Sequence, residues 1–147
     1  MRFLLLAAAT AVVWAQQPGL LLTVRDGRHE VALRAPSPNF FLESNESLHP
    51  AIEPAFQAEF SGTISVLQAG EYTFDSGKAG LLIGGKPVTQ PLSLNSGPHS
   101  IVIRYRRSAG AASLQLRWKS AAFDWEPVPP SAFSTSAAPE ADEGRRL

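Results

Sequence analysis

The 147-residue chain contains no cysteine. That excludes disulfides, thiolate zinc sites, cysteine nucleophiles and haem attached through thioethers. Neither sign of charge is in surplus: 13 Lys and Arg stand against 13 Asp and Glu, and the pI is about 6.8. Dedicated nucleic-acid binders usually carry a basic excess, so nucleic acid is not an expected partner. Long uninterrupted segments are also missing. With 11 glycines and 12 prolines the chain is punctuated too often for long helices. No G-x-S-x-G, H-E-x-x-H, P-loop or G-x-G-x-x-G run occurs. A glycosidase needs two carboxylates about 5–10 Å apart across a cleft, and no two acids are placed that way by their spacing. The expectation is a protein that is not an enzyme.

Long apolar runs are scarce as well. Residues 3–13 form the one notable run, and at eleven residues it falls short of the roughly twenty needed to span a bilayer. Arg2 precedes it, and Val13-Trp14-Ala15 followed by Gln16-Gln17-Pro18 supplies a cleavage-site pattern. Residues 1–15 therefore read as a signal peptide, and the mature chain as secreted or periplasmic, with no membrane span after cleavage.

What is present is period-two alternation between turn signals. Residues 20–25 and 30–34 flank Asp26-Gly27, a hairpin signal. Residues 44–54 are polar and bounded by proline, hence a loop; Asn45-Glu46-Ser47 within it is formally a glycosylation sequon. Phe56, Ala58, Phe60, Ile64 and Val66 share one face of a long strand. Gly62 inside that strand marks a bulge or the close approach of another backbone. Tyr72 and Phe74 point one way in the next strand, and Gly84-Gly85 joins residues 81–83 to residues 86–89 in a tight hairpin. Residues 100–107 and 112–119 then read as a hairpin that buries Ile101, Ile103, Tyr105, Leu114, Leu116 and Trp118 on one face. The fold class is all-β, an antiparallel β-sandwich of about eight to ten short strands. The expected core includes Phe56, Phe60, Tyr72, Phe74, Ile101, Ile103, Leu116 and Trp118. The domain boundaries are 16–133 for the sandwich and 134–147 for a disordered tail or linker.

Several residues invite a functional reading. Glu43, Asn45 and Glu46 lie close enough in one loop to share an ion, though solvated loop charges are the plainer account. His29, His49 and His99 are far apart in sequence and read as turn or loop residues. Trp118 alternates with Leu114 and Leu116 and therefore reads as core. Asp124-Trp125-Glu126 falls outside the strand pattern, and an indole face flanked by carboxylates suits a sugar ring; the plainer account has Trp125 plugging the sandwich end. On the hairpin's outward face Arg104, Arg106, Arg117 and Lys119 gather without an acid among them. That face is either ordinary surface balanced by neighbouring strands or a docking face for an acidic partner or polyanionic glycan.

With the strands placed, six pieces fall into a familiar order: Phe60-Ser61-Gly62-Thr63-Ile64, Ala69-Gly70-Glu71-Tyr72-Thr73-Phe74, Leu82-Ile83-Gly84-Gly85-Lys86, Ser96-Gly97-Pro98-His99-Ser100-Ile101, Ala112-Ser113-Leu114-Gln115-Leu116-Arg117-Trp118 and Glu126-Pro127-Val128-Pro129. Over residues 19–133 the chain resembles the PA-fourteen (protective-antigen-like) domain. The resemblance implies a β-sandwich from secreted proteins that binds carbohydrate, or a partner protein, without catalysis. In the family's sugar-binding adhesins two adjacent aspartates before the L-x-I-x-G run hold a calcium ion. Here that loop offers only Asp75 as an acid, next to Ser76-Gly77-Lys78. Calcium takes six to eight oxygen ligands, so Asp75 is a candidate ligand contact without an expected metal or other cofactor. A second likeness joins Gly19-Leu20-Leu21, Arg25-Asp26-Gly27, Asn39-Phe40-Phe41-Leu42-Glu43, Leu48-His49-Pro50 and Glu143-Gly144-Arg145-Arg146-Leu147. It is similar to exported bacterial proteins in which this sandwich precedes a c-type cytochrome domain. It implies the alternative role of a spacer or scaffold cut from such an electron-transfer protein.

Overall fold

The computed structural model describes residues 16–136. The expected signal peptide, residues 1–15, and most of the expected tail lie outside the described residues. Strand pairing is antiparallel throughout.

The first hairpin forms as its turn signal implies. After β1 (Gln17–Pro18), β2 (Leu20–Arg25) pairs with β3 (Glu30–Ala35), with Arg25 opposite Glu30. The short β4 (Phe40–Leu42) leads into the loop of residues 43–54. β5 (Phe56–Val66) is the long strand, and its alternation buries Phe56, Ala58, Phe60, Ile64 and Val66. A Cβ on Gly62 would lie 2.6 Å from the Ser134 carbonyl oxygen and 2.8 Å from Leu20 Cδ2. The glycine is therefore required by a close backbone approach, as a glycine within a strand suggests.

β6 (Gly70–Asp75) follows, then β7 (Gly80–Ile83) and β8 (Lys86–Pro87), joined through Gly84 and Gly85 at φ 61° and 79°. Both angles lie where glycine is favoured in two-residue hairpin turns. β9 (Leu92–Leu94) precedes β10 (Gly97–Arg107). The last third holds β11 (Ala112–Leu114), β12 (Arg117–Ser120), β13 (Phe123–Pro127), a 3-10 turn at Pro130–Ala132 and β14 (Phe133–Thr135).

One layer is an eight-stranded sheet in the order β1-β14-β5-β10-β7-β8, with β2 also on β5 and β3 on β2. The other side of the core is closed by the sheet β13-β12-β6-β9 and the two-stranded ladder β11-β4. The all-β sandwich is thus observed. Its strands number fourteen among the described residues rather than eight to ten, because several ladders are only two or three residues long.

Two aromatic groups fill the layer between the sheets. Tyr72, Phe74, Trp118 and Phe123 stack with centroids 5.2 to 6.5 Å apart. Phe40, Phe56 and Tyr105 form the second group. All the expected core residues are buried except Phe74, which is half-buried against them.

Two expectations need correction. Residues 100–107 and 112–119 do not pair with each other. β10 runs between β5, over its whole length, and β7. β11 pairs with β4, and β12 with β6 and β13. The alternation correctly gives which face is buried. It says nothing of the partner, because two strands facing each other across a sandwich bury the same residues as two strands side by side. The second correction is the boundary at 133. Phe133 and Ser134 pair with Ile64 and Thr63, and Ser134 and Thr135 pair with β1, so the domain continues into what was expected to be tail.

Arg107 fixes the crossing between the layers. Only 4% exposed, it donates through Nε and one terminal nitrogen to the Gly110 carbonyl. The remaining N–H groups go to the carbonyls of Glu43, Glu46 and Pro54. Five bonds match the five donors of a guanidinium. The 43–54 loop and the 108–110 connection are thereby tied to one side chain.

Candidate functional site

Asp124, Trp125 and Glu126, expected outside the strand pattern, lie inside an edge strand, β13. Strand alternation separates them. Glu126 is opposite Trp118 in the ladder and accepts its indole N–H at 3.0 Å. Asp124 accepts the backbone N–H of Trp125 at 2.8 Å. Trp125 lies on the outer face, with the Arg117 guanidinium 5.6 Å and the Lys119 ammonium 5.1 Å from its ring centroid. Its ring is already a platform for the protein's own cations, and it neither plugs the sandwich end nor shares a face with Glu126. The ladder register, with Arg117 opposite Pro127 and Trp118 opposite Glu126, sets Trp125 on the same face as Arg117 and Lys119.

The four basic residues expected on one face are divided between two. Arg104 and Arg106 are on the outer side of the large sheet, alternating with buried Ile103 and Arg107. Arg117 and Lys119 are on the outer side of the small sheet, alternating with buried Leu116 and Trp118. The cause is the pairing described above. Arg104 is opposite Glu59, and Arg106 opposite Gln57, with no residue of β12 nearby in the ladder.

What the large sheet assembles instead is a row that the sequence reading did not single out. Arg25, Gln57 and Arg106 are consecutive cross-strand partners on β2, β5 and β10. The next row holds Thr23, Glu59 and Arg104, with Arg104 Nε donating to Glu59 Oε1 at 3.0 Å. Two adjoining clefts of about 360 and 410 Å³ share Arg25, Gln57 and Arg106 along their walls. Arg25 has an exposed ion pair with Glu30 at 3.7 Å. At one end Asp26 has its side chain fully buried. Its carboxylate accepts the backbone N–H groups of Arg28, His29 and Glu53, which hold its pKa far below the usual carboxylate range. That carboxylate is therefore occupied by the backbone. The signal for this row was available in part, since outward strand positions carried Arg25, Gln57 and Arg106. Bringing them together needed the strand order.

Asp75 ends β6, opposite Arg117. Its Oδ1 accepts the Gly77 N–H at 2.9 Å, and the Ser76 hydroxyl donates to the Ala79 carbonyl at 2.8 Å. In the 43–54 loop, Glu46 Oε1 accepts the Glu43 N–H at 2.8 Å. His49 is buried and its Nδ1 accepts the Ala51 N–H at 3.0 Å. Among the described residues no three His, Asp or Glu side chains come together as a metal site would require.

The fold has solved counterparts. An anti-sigma factor domain-containing protein from Clostridium clariflavum is similar at TM-score 0.74 and 23% identity, over 84% of this chain and 49% of that one. The chain thus spans about half of that longer protein. The PA14 domain of the MpAFP antifreeze protein is similar at TM-score 0.63 and 12% identity, over 86% and 96% of the two chains. The chain has the fold of PA14 domains. A PA14 sugar-binding domain from an RTX adhesin is similar at TM-score 0.58 and 14% identity, over 80% and 98%. No protein-family model matches the sequence, and no curated protein matches it. Within the PA14 frame, the Asp75 turn occupies the loop before Leu82-Ile83-Gly84, where the resemblance puts the calcium aspartates of adhesins. In this chain one carboxylate is there, and it caps its own turn.

Proposed function

We propose that the chain is an exported, non-catalytic binding module whose ligand is a carbohydrate, taken up without calcium. The observation that carries this reading is the likeness to a PA14 sugar-binding domain over 98% of that domain. Export is supported by the apolar run and cleavage pattern of residues 1–15. Calcium independence is supported by the engagement of Asp75 with the Gly77 N–H, since the ion needs several carboxylate or carbonyl oxygens turned outward together.

The test is a glycan array probed with the full chain, in calcium and in EDTA. A defined glycan class should be retained equally in both. Loss of that binding in EDTA, or a melting midpoint that climbs with millimolar calcium, contradicts calcium independence, because a ligand selective for the folded state must stabilise it.

A second reading is a spacer or scaffold domain of a longer protein that takes no ligand itself. The 49% coverage of the longer anti-sigma factor domain-containing protein favours it. An array on which no glycan is retained supports the spacer.

A further inference from the structure

We infer that the Arg25–Gln57–Arg106 row on the outer face of the large sheet is a subsite for the anionic group of an acidic glycan. This deepens the carbohydrate reading above and rests on it.

The argument begins with charge. The chain as a whole is neutral, yet the first cleft over β2, β5 and β10 is lined by Arg25, Arg104 and Arg106 against one half-buried carboxylate, that of Glu59. Adjacent strands lie about 4.8 Å apart, so Arg25 and Arg106, on either side of β5, are roughly 10 Å apart at their Cα atoms. Between them stands Gln57, a neutral amide. One row further along, the equivalent position is Glu59, which neutralises Arg104. The two rows differ in this respect: the carboxylate closes one, and the amide leaves the other open.

The open row has the chemistry of an acidic sugar site. Guanidinium forks match the two oxygens of a carboxylate or sulfate. Gln57 offers both donors and an acceptor to ring hydroxyls. Glu59 on the far wall keeps a second oxygen for the same purpose. The competing Arg25–Glu30 pair is exposed on both sides, at 53% and 61%, and such pairs are weak enough for a ligand to displace. The nearby carboxylate of Asp26 is ionised, and its charge is partly offset by three backbone N–H dipoles and the His29 ring.

The experiment compares the full chain with two double variants of equal charge change, Arg25→Gln with Arg106→Gln and Arg117→Gln with Lys119→Gln. Retention is measured in EDTA at low salt on polygalacturonate, dextran sulfate, dextran and polyglutamate. Wild type should be retained on polygalacturonate, dextran sulfate or both, the two arms telling carboxylate from sulfate. Elution should come early as salt rises, because exposed charges are screened. The first double variant should bind at least tenfold more weakly, and the second within twofold of wild type. Equal losses in both doubles would reduce the effect to net charge and overturn the subsite. Equal retention on polyglutamate would overturn the glycan assignment in favour of an acidic protein. Binding to neutral glycans on the array with no retention on either acidic polymer would overturn the subsite and leave the carbohydrate reading standing. No glycan retained in either experiment would overturn both.

Discussion

Arg106 and Arg107 are neighbours on one strand and have opposite fates. Arg107 faces inward, beneath the 43–54 loop, with every N–H on a carbonyl oxygen. Arg106 faces outward into a cleft bordered by Arg25 and Gln57. The same side chain, one residue apart, serves the fold in the first case and is left to solvent in the second. What decides is the alternation of β10 and the material above each face: a polar loop rich in carbonyls on one side, a bare sheet on the other. The small sheet shows a third solution, where Arg117 and Lys119 lie against the Trp125 ring.

The largest effect should come from the enclosed side. Arg107→Ala strips the donors from four backbone carbonyls, and a buried acceptor left unpaired costs about 1–3 kcal/mol. Some of these carbonyls will regain water, so the expected loss is about 3 kcal/mol or more in urea unfolding. Arg107→Lys, with three donors in place of five, should fall between wild type and alanine. If Arg107→Ala were as stable as wild type, the loop would be held by something other than this side chain.

A smaller loss is expected at Asp26, which joins the hairpin turn to the 43–54 loop through the Glu53 N–H. In Asp26→Asn the amide nitrogen replaces one accepting oxygen and cannot take that N–H. The pH dependence gives a sharper readout. The folded carboxyl has a depressed pKa, chiefly from the Glu53, Arg28 and His29 backbone N–H groups, against an unfolded value near 3.8. As pH falls below about 4, the unfolded state binds the proton first. Stability that is complete above that pH must therefore decline on acidification. Asp26→Asn should lack this component, so its unfolding midpoint should drop less between pH 5 and 3 than that of wild type. Parallel acid profiles would show that the carboxylate contributes nothing specific.

The outer face of the small sheet should respond less again. Trp125→Ala removes two cation–ring contacts, each worth about 0.5–1 kcal/mol at exposed sites. A loss of about 1 kcal/mol is expected, with acidic-glycan retention unchanged. A fall in glycan binding with intact stability would instead return Trp125 to the role of a sugar platform.

These differences mark where the sequence was legible. The burial of Phe60, Ile101, Ile103, Leu116 and Trp118 follows from period-two alternation, and the turns at Asp26-Gly27 and Gly84-Gly85 from local chemistry. The need for glycine at position 62 was also readable, although the identity of the approaching strand, β14, was not. Partner choice was the failure. Ser108-Ala109-Gly110-Ala111 looks like a hairpin turn, yet β10 pairs with β5 along its length and with β7 at Ile101–Arg104, and β12 has β6 and β13 on its own two edges. The basic face built on that hairpin dissolved with it. Asp124-Trp125-Glu126 falls outside the strand pattern in sequence, yet it lies within the five-residue edge strand β13, whose ladder with β12 carries a register shift. The open row was illegible for another reason: positions 25, 57 and 106 belong to three strands that only the sheet order makes adjacent.

The smallest effect on stability should be at Arg106 itself. Its guanidinium is exposed, and the cross-strand neighbour, Gln57, brings no counter-charge. Substitutions at such positions usually change stability by less than about 0.5 kcal/mol. Arg106→Ala should therefore unfold within about 0.5 kcal/mol of wild type, while its neighbour Arg107→Ala does not. The direction also matters. Arg25 and Arg104 flank Arg106 on the same outer face, and like charges close together repel, so removing Arg106 relieves that repulsion and any change should lean toward stabilisation. A slight gain at low salt that vanishes at high salt is the signature of relieved repulsion between screened charges. A clear loss would mean that Arg106 packs along the sheet with its aliphatic stem. In that case the contrast between the two arginines would be one of degree, and the cleft would owe part of its shape to the side chain assigned to the ligand.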